Sequence, residues 1–250
     1  MKIIATIEAR MTSSRLPGKV LLEAAGKPML EHLINRLKAV PSLDGIVLAT
    51  TINHTDDILE DFATKIGIGC FRGSEEDVMS RVIGAADSVN ADVVVEITGD
   101  CPIIEPEIVE QTIRMFLANN AEYVGNGHVR SYPDGMDTQV FYLDTLKRSF
   151  EMTEDRLDRE HVTLHIRNNP TLFSHLHLVA PPELFWPELG LTLDEPADYE
   201  LLKNIIEELG KVNPLFSCLD VVRLLRMKPD WIQINKEVIR KITRTTFSHF

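Results

Sequence analysis

The chain of 250 residues is long enough for one large domain or two small ones with a buried core. Hydrophobic residues make up 44% and charged residues 26%, which is typical of globular proteins and excludes disordered, collagen-like and coiled-coil classes. The formal net charge of -12 argues against a nucleic-acid partner, because neutralisation of phosphates dominates the affinity for nucleic acids.

Two other classes are disfavoured by the distribution of residues. No run of about 18 apolar residues occurs, and the N-terminal MKIIATIEAR becomes charged too early for a signal peptide, so we expect no membrane association. The three cysteines, Cys70, Cys101 and Cys218, are far apart and form no CxxC pair. A disulfide framework or a cysteine zinc site is therefore not expected, and we predict a cytoplasmic protein.

The first half of the sequence alternates short apolar runs with helical patterns. Strands are predicted at 3–7, 46–50, 69–72 and 92–97, and helices at 29–39, 56–66, 74–89 and 105–118. Thr55 is a candidate N-cap of the second helix, and Ser74 with Asp77 has the spacing of a capping box for the third. This alternation predicts an α/β fold with a mostly parallel sheet between two layers of helices.

The pattern changes after about residue 120. Strands are predicted at 138–142, 173–179 and 191–193, and helices at 158–167, 195–209 and, interrupted by Pro229, over 213–250. We predict an α/β domain at 1–210, divided into two parts at residue 120, followed by a helical tail at 211–250. The tail carries 8 Lys and Arg against 3 Asp and Glu. It is either a solvated helix pair or a segment docked on an acidic surface of its own chain or of a partner subunit.

The loop after the first predicted strand is rich in cations and hydroxyl groups. It contains Arg10, Arg15 and Lys19, together with one threonine and two serines. Ligands of α/β sheets bind at the carboxyl ends of the strands, and guanidinium and ammonium groups suit phosphate oxygens. The loop is neither a Walker A sequence nor GxGxxG, so it would hold phosphate in another way. The alternative is a solvated basic loop.

Several motifs carry a family resemblance. The loop contains Ala9-Arg10-x-x-Ser13-Ser14-Arg15-Leu16-Pro17-Gly18-Lys19, followed by Gly26-Lys27-Pro28-Met29. These motifs resemble the N-terminal signature of the cytidylyltransferases that make CMP-activated acidic sugars, the CMP-Kdo and CMP-sialic acid synthetase relatives. Later motifs resemble the spore coat polysaccharide biosynthesis F-type branch: Ser74-x-x-Asp77-Val78-x-Ser80-Arg81, Tyr132-Pro133-Asp134-Gly135-Met136-Asp137, Arg159-Glu160-His161-Val162-Thr163 and Ile232-Gln233-Ile234-Asn235.

The resemblance implies a nucleotide-diphospho-sugar transferase (GT-A-like) fold and a reaction of a nucleoside triphosphate, CTP in this family, with an acceptor oxygen to release pyrophosphate. It implies that residues 1–120 bind the nucleotide and residues 121–210 bind the acceptor. Arg10, Arg15 and Lys19 would meet the triphosphate, with Ala9 and Ser13 beside the nucleotide. Asp100 matches the aspartate of the family's G-D-x-P turn, which binds the metal, and Asp194 matches a second metal-binding aspartate. We therefore predict Arg10, Arg15, Lys19 and Asp100 as catalytic residues and Mg²⁺ as the cofactor.

Each aspartate also has a structural alternative. Asp100 could form an Asx turn before Pro102, and Asp194 could be a helix N-cap. If both hold the metal, their carboxylates should lie within about 6 Å of each other, because Mg²⁺ ligands sit at roughly 2.1 Å. Without a metal the two negative charges would repel, and one carboxyl would then titrate high.

The remaining site residues are assigned more loosely. Thr50, Ser74 and Asp77 are candidates for binding the nucleoside. Asp77 and Arg81 have the spacing of an i,i+4 ion pair, and the alternative places Arg81 near the nucleoside as well. The candidates for binding the acceptor lie in the motifs that mark the branch, and they are Asp134, Asp137, Arg159, Glu160 and His161. His161 and His165 lack an HExxH frame for zinc, and His175 and His177 are expected on an exposed strand face.

These patterns predict a Mg²⁺-dependent cytidylyltransferase that transfers CMP from CTP to a sugar, sugar acid or polyol phosphate in surface polysaccharide or glycoconjugate biosynthesis. Its partners would be CTP, or another nucleoside triphosphate, and a small phosphorylated or acidic sugar-like acceptor; a homodimer is left open. One alternative is a glycosyltransferase, but Asp134-Gly135-Met136-Asp137 has the wrong spacing for its DxD motif. The other is a non-enzymatic sugar-nucleotide sensor, which would not need both the cation loop and the two aspartates.

Overall fold

A seven-stranded sheet forms the centre of the molecule in the computed structural model, which describes residues 1–240. Together with a separate pair, β2 and β3, the described residues form these strands: β1 Ile3–Glu8, β2 Glu23–Ala24, β3 Lys27–Pro28, β4 Gly45–Thr51, β5 Gly69–Gly73, β6 Val93–Thr98, β7 Tyr123–Gly125, β8 Gln139–Tyr142 and β9 His175–His177. The sheet order is β5-β4-β1-β6-β8-β7-β9, and β2 pairs with β3 apart from it. Strand β8 runs antiparallel to both of its neighbours, and the other pairs within the sheet are parallel.

Helices cover both faces of the sheet. They are α1 Met29–Leu37, α2 Asp57–Ile66, α3 Val78–Asp87, α4 Pro106–Leu117, α5 Leu143–Met152, α6 Arg156–Glu160, α7 Leu164–Asn168, α8 Pro196–Leu209, α9 Cys218–Met227 and α10 Pro229–Ile232. Along β1, Ala5 and Ile7 pack into a core with α1 and α4, whereas Ile4 packs into a core with α3 and α5. Burial on both faces explains the continuous apolar runs in the sequence. The predicted fold class is confirmed.

Two predicted helix starts are wrong. Helix α3 begins at Val78, where the Asp77 carboxylate accepts a hydrogen bond from the backbone N–H of Ser80, so Asp77 rather than Ser74 is the cap. Helix α2 begins at Asp57 after a 3-10 turn over His54–Asp56, and Thr55 does not cap it. The Asp56 carboxylate turns back to Thr51 instead, which fixes this turn against the end of β4.

The second half departs further from the sequence prediction. The predicted helix at 158–167 is split into α6 and α7, because Val162 adopts a left-handed φ of 45° while its side chain is buried. The segment 191–193 forms no strand, and the neighbouring Gly190 makes a single bridge to Asp134. Strand β9 is shorter than predicted, and His175 and His177 are half-buried rather than exposed. Helix α5 was not predicted.

The predicted boundary at residue 120 falls within one sheet, since β7, β8 and β9 extend the sheet that β1 begins. The tail contains α9 and α10, which share a core with α8, but residues 233–240 are not helical. The rest of the predicted helical tail, 241–250, lies outside the described residues. Within residues 1–240, no helix combines the length and the apolar character that crossing a membrane requires.

Candidate active site

A cleft of about 640 Å³ opens at the carboxyl ends of β1 and β6. This is the edge where the parallel strands of α/β proteins present their ligand-binding loops. Eleven of the residues predicted from the sequence line this one cleft. They are Ala9, Arg10, Ser13, Arg15, Lys19, Asp100, Asp134, Asp137, Glu160, His161 and Asp194.

The cation loop is closed by backbone contacts that aim Lys19 into the cleft. The backbone N–H of Gly18 donates to the carbonyl of Met11 at 2.9 Å, and the N–H of Met11 donates to the Asp56 carboxylate at 2.8 Å. Gly18 has a φ of 70°, which glycine adopts at little cost, and Lys19 then begins a short 3-10 turn. The Pro-Gly-Lys sequence thus forms a turn that fixes the backbone position from which the Lys19 side chain extends into the cleft.

The two aspartates reach the same place through linked turns. Gly99 packs so closely on β1 that a Cβ there would lie 2.6 Å from the Glu8 carbonyl, so the turn that carries Asp100 needs glycine. The carbonyl of Asp100 accepts a hydrogen bond from the N–H of Leu193 at 2.8 Å, which joins this turn to the one that carries Asp194. Glu195, not Asp194, caps α8, so the alternative role as N-cap does not apply to Asp194.

Lys19 lies between the two aspartates. Its Nζ is 3.2 Å from Asp100 Oδ2 and 3.0 Å from Asp194 Oδ1, and Arg15 Nη2 is 2.8 Å from the same Asp194 oxygen. Burial alone would lower the pKa of Lys19, but the two carboxylates outweigh it and raise that pKa. Likewise, burial would raise the pKa of Asp100, but the Lys19 charge keeps it below its ordinary value. The expected high titration is therefore not found at Asp100, because a cation separates the pair.

The outer rim of the cleft holds a contact that the sequence did not reveal. Glu75 accepts a hydrogen bond from Arg10 Nη1 at 2.9 Å, from the Thr12 hydroxyl at 2.7 Å and from Asn53 Nδ2 at 2.6 Å. These bonds from Thr12 and Asn53, followed by the Arg10 charge, lower the pKa of Glu75. Arg10, one of the predicted phosphate-binding residues, is therefore tied across the rim to the loop before α3.

Four predicted site residues lie outside the cleft lining and have structural partners instead. Thr50 is fully buried and donates its hydroxyl to Asp56 at 3.1 Å. Ser74 accepts from the N–H of Asp77 at 3.0 Å. Arg159 is 3.3 Å from Asp77 and lies 3.4 Å above the ring of Phe150, so it ties α6 to the N-terminus of α3 and to α5.

Thr50, Ser74, Asp77 and Arg159 thus have partners within the protein and lie outside the cleft lining, and their predicted binding roles stay predictions. The i,i+4 ion pair considered for Asp77 is not formed either, because Asp77 pairs with Arg159 while Arg81 donates to the carbonyl of Ser74.

On the acceptor side, the turn at 133–137 is pinned against the segment before α8. The N–H of Asp134 donates to the carbonyl of Leu189 at 2.9 Å, and the carbonyl of Asp134 accepts from Leu191 at 2.7 Å. Gly135 has a φ of 105°, and a Cβ there would lie 2.7 Å from the Leu191 carbonyl, so no other residue fits. Burial, and then the neighbouring Asp134, raise the pKa of Asp137 to about 7.

The inner floor of the cleft, defined here as Glu8, Glu96, Gln139, Arg81 and Arg167, was largely missed from the sequence. Gln139 donates its amide to the Glu96 carboxylate, and its oxygen accepts from the hydroxyl of Tyr123 at 2.8 Å, which fixes the amide orientation. Burial raises the pKa of Glu96 to about 7 and that of Glu8 well above its ordinary value, with mutual repulsion adding to the shift at Glu8.

Within the described chain, Glu8 Oε2, Arg81 Nε and Arg167 Nε are buried without a hydrogen-bond partner, which suits a polar ligand. The available signal in the sequence was a charged residue, Glu96, inside a β-branched strand.

The donor groups that could hold a metal are limited. Among residues 1–240, no group of three or more His, Cys, Asp or Glu side chains is arranged to hold an ion. The paired aspartates could hold a hard cation only together with ligand oxygens, which is how Mg²⁺ is usually bound beside substrate phosphates.

A parallel α/β sheet, a cation loop after its first strand and two aspartates facing that loop define a nucleotidyltransferase with the GT-A-like nucleotide-diphospho-sugar transferase fold. Residues 4–217 match the family model described as Cytidylyltransferase, and the chain belongs to that family.

The chain is 34% identical over 244 residues to the uncharacterized protein MJ1063 of Methanocaldococcus jannaschii, with 98% of each chain covered. It is 34% identical over 234 residues to the spore coat polysaccharide biosynthesis protein SpsF of Bacillus subtilis, covering 91% of this chain and 95% of that protein. A solved cytidylyltransferase structure from Leptospira borgpetersenii superimposes with a TM-score of 0.89 at 32% identity, over 96% of this chain and all of the other. The family and branch expected from the motifs, and the prediction of an enzyme, are confirmed.

Proposed function

We propose that this chain is a Mg²⁺-dependent cytidylyltransferase that transfers CMP from CTP to a phosphorylated or acidic sugar-like acceptor, with release of pyrophosphate, in surface polysaccharide biosynthesis. The observation that carries the proposal is the Lys19 ammonium held between Asp100 and Asp194 at the mouth of the cation loop. Family membership supports CTP as the donor, and the similarity to SpsF supports the biosynthetic setting.

The residues present fit Mg²⁺. Asp100 and Asp194 each present a carboxylate toward the same point, and both are oxygen donors of the kind that this hard cation prefers. Two protein carboxylates leave the remaining coordination positions for water and phosphate oxygens. When bound, the metal would supply positive charge to the phosphates.

The cation loop would hold the triphosphate. Lys19 stays charged because the two aspartates raise its pKa, and Arg15 is already directed at Asp194. Phosphate oxygens that enter the cleft would compete with these carboxylates for Lys19 and Arg15, and with Glu75 for Arg10. In phosphoryl-type transfer, fixed cations of this kind stabilise the charge that builds on the leaving group.

The acceptor would approach from the side of Asp134 and Asp137. One of its oxygens attacks the α-phosphorus of CTP, a new P–O bond forms, and the bond to pyrophosphate breaks. Where that oxygen belongs to a hydroxyl group, its proton must leave. Asp137, with a pKa of about 7 and a place in the cleft lining, is suited to accept it near neutral pH.

The proposal is tested by a pyrophosphate-release screen that combines each of the four nucleoside triphosphates with a panel of sugar, sugar acid and polyol phosphates in the presence of Mg²⁺. We expect turnover with CTP, and a larger thermal stabilisation by Mg²⁺ with CTP than with ATP, GTP or UTP, because a ligand stabilises the state that it binds. A preference for another nucleotide would contradict the donor, and turnover of a sugar nucleotide instead of a triphosphate would contradict the reaction.

A further inference from the structure

The segment after α10 runs into the cleft. Asn235 is only 7% exposed, and its Nδ2 donates to the carbonyl of Gly190 at 3.0 Å and to Asp198 Oδ1 at 2.8 Å. Five residues later, Arg240 lines the cleft itself, with 16% of its side chain exposed. This part of the basic tail is therefore docked on acidic groups of its own chain rather than solvated.

Asp198 connects this segment to the turn that carries Asp194. The side chain is fully buried, and its Oδ2 accepts from the backbone N–H groups of Asp194 at 3.1 Å and Glu195 at 2.9 Å. Its Oδ1 accepts from Asn235 and from Arg240 Nη2, the latter at 2.8 Å. One carboxylate thus fixes the turn with one oxygen and is itself held by the tail with the other.

Arg240 makes further contacts on the acceptor side. Its Nε lies 3.7 Å from Asp134 Oδ2, and its Nη1 donates to the hydroxyl of Thr192. The absence of a side chain at Gly190 makes room for the guanidinium group, since a Cβ there would overlap it.

The carbonyl of the preceding residue, Ile239, accepts from Arg15 Nη1 at 3.2 Å. Residues 239 and 240 therefore contact the cation loop as well as the segments that carry Asp134 and Asp198.

We propose that Arg240 belongs to the active site as a positioning residue, which holds Asp194 through Asp198 and holds Asp134 directly. The roles of Asp194 and Asp134 rest on the proposed function. A buried carboxylate needs a compensating charge, and Arg240 supplies it to Asp198. Residues that orient a metal ligand without touching the metal typically change metal affinity about 10–100-fold when they are replaced.

The test uses full-length protein and Mn²⁺ as a paramagnetic probe of the metal site in the presence of CTP. Arg240→Ala should weaken Mn²⁺ binding by about tenfold, and Arg240→Lys should recover part of it, because a positive charge returns without the planar fork. Lys236→Ala is the matched control: it removes a charge from the same segment at an exposed position, and it should leave Mn²⁺ affinity unchanged.

A second readout needs no ligand. The backbone N–H groups of Asp194 and Glu195 donate to Asp198, so their hydrogen exchange should become at least about tenfold faster in Arg240→Ala and stay unchanged in Lys236→Ala. Trp231→Ala serves as a destabilised control, because Trp231 packs on the core shared by α8 and α9. Unfolding midpoints are measured for every variant.

The positioning role is overturned if exchange at these two amides is the same in Arg240→Ala as in Lys236→Ala, or if Trp231→Ala accelerates it equally at a matched loss of stability. Wild-type protein that binds no Mn²⁺ with CTP would contradict the proposed function instead. The exchange measurement then still decides whether Arg240 fixes the turn.

Discussion

The mouth of the cleft, formed by Arg15, Lys19, Asp100 and Asp194, and its inner floor both contain carboxyl groups, but these differ in their protonation at neutral pH. At the mouth, Asp100 is held ionised, because the Lys19 ammonium at 3.2 Å outweighs burial and lowers its pKa. On the floor, burial raises the pKa of Glu96 to about 7, although the charge of Arg167 and the amide of Gln139 act in the opposite direction. The difference shows that a direct ion pair with a cation, rather than depth alone, keeps a carboxylate of this cleft charged at neutral pH.

The division also separates two chemical tasks. The mouth gathers cations and ionised carboxylates, which suits a triphosphate and its metal. The floor contains Glu96, which can hold or release a proton near pH 7, and buried polar atoms that have no hydrogen-bond partner within the described chain, which suits a polar ligand. A substitution at the mouth should therefore lower the turnover rate, whereas a substitution on the floor should change how stability depends on pH.

The largest effect is expected at the mouth. Lys19→Ala removes the charge that bridges Asp100 and Asp194. It should lower the turnover rate by about 10²–10³-fold while the protein remains folded, because the ammonium group stabilises charge in the transition state and does not pack in the core. Arg15→Ala should also lose most of the activity. Rates with CTP are compared with those of Lys65→Ala, which alters an exposed lysine on α2. Wild-type turnover by either cleft variant would refute the assignment of the cation loop.

A smaller effect is expected on the floor, and it depends on pH. The folded-state pKa of Glu96, about 7, lies above its ordinary value of 4.5, so the folded protein binds this proton more tightly than the unfolded chain does. The resulting stability is complete below about pH 4.5 and is lost as the pH rises through 7. In wild-type protein the free energy of unfolding should fall across this window by on the order of 2 kcal/mol from this group.

Glu96→Gln should flatten this dependence, because the amide does not titrate. Urea unfolding between pH 5 and 8 measures it. Asp137→Asn provides the comparison, since Asp137 also has a pKa of about 7 and should account for a separate part of the slope. A Glu96→Gln profile as steep as that of wild-type protein would show that Glu96 does not account for the pH dependence, and a Glu96 pKa near 7 would then be refuted.

The smallest effect is expected at the rim, where Glu75 holds Arg10. The pair is partly exposed, with 44% of the Arg10 side chain and 31% of the Glu75 side chain accessible. Exposed ion pairs contribute roughly 0.2–1 kcal/mol, so Glu75→Gln should free Arg10 for phosphate and tighten CTP binding by about two- to fivefold. Titration calorimetry with CTP and Mg²⁺ measures the change. Glu76→Gln, at the neighbouring exposed position, is the control, and weaker CTP binding in Glu75→Gln would mean that Glu75 itself supports the nucleotide.

Much of the mouth could be predicted from the sequence because its information is local. The apolar runs of β1 and β6 set the strands, and the residues that follow each strand must lie at the carboxyl edge of the sheet. The motifs then assigned Arg15, Lys19 and Asp100 to one cleft, where the structure places them. Asp194 was also found this way, although only the fold brings it to Lys19.

Three features were decided by the tertiary structure alone. The split between α6 and α7 depends on burying Val162 in a left-handed conformation, which the helical pattern of 158–167 does not show. Glu8 and Glu96 lie near each other because β1 and β6 are neighbours in the sheet. Burial, and then the proximity of Glu96, raise the pKa of Glu8. Arg240 docks on Asp198 and Thr192, which both lie more than 40 positions before it in the chain.

Sequence periodicity and motifs thus determined the sheet, its loops and the charged mouth of the cleft, because each rests on neighbours in the chain. Contacts between distant segments decided which carboxyl groups keep a proton and where the described part of the tail docks. Those contacts set burial and electrostatic environment, and neither can be deduced from a residue's own type or from its nearest neighbours in the chain.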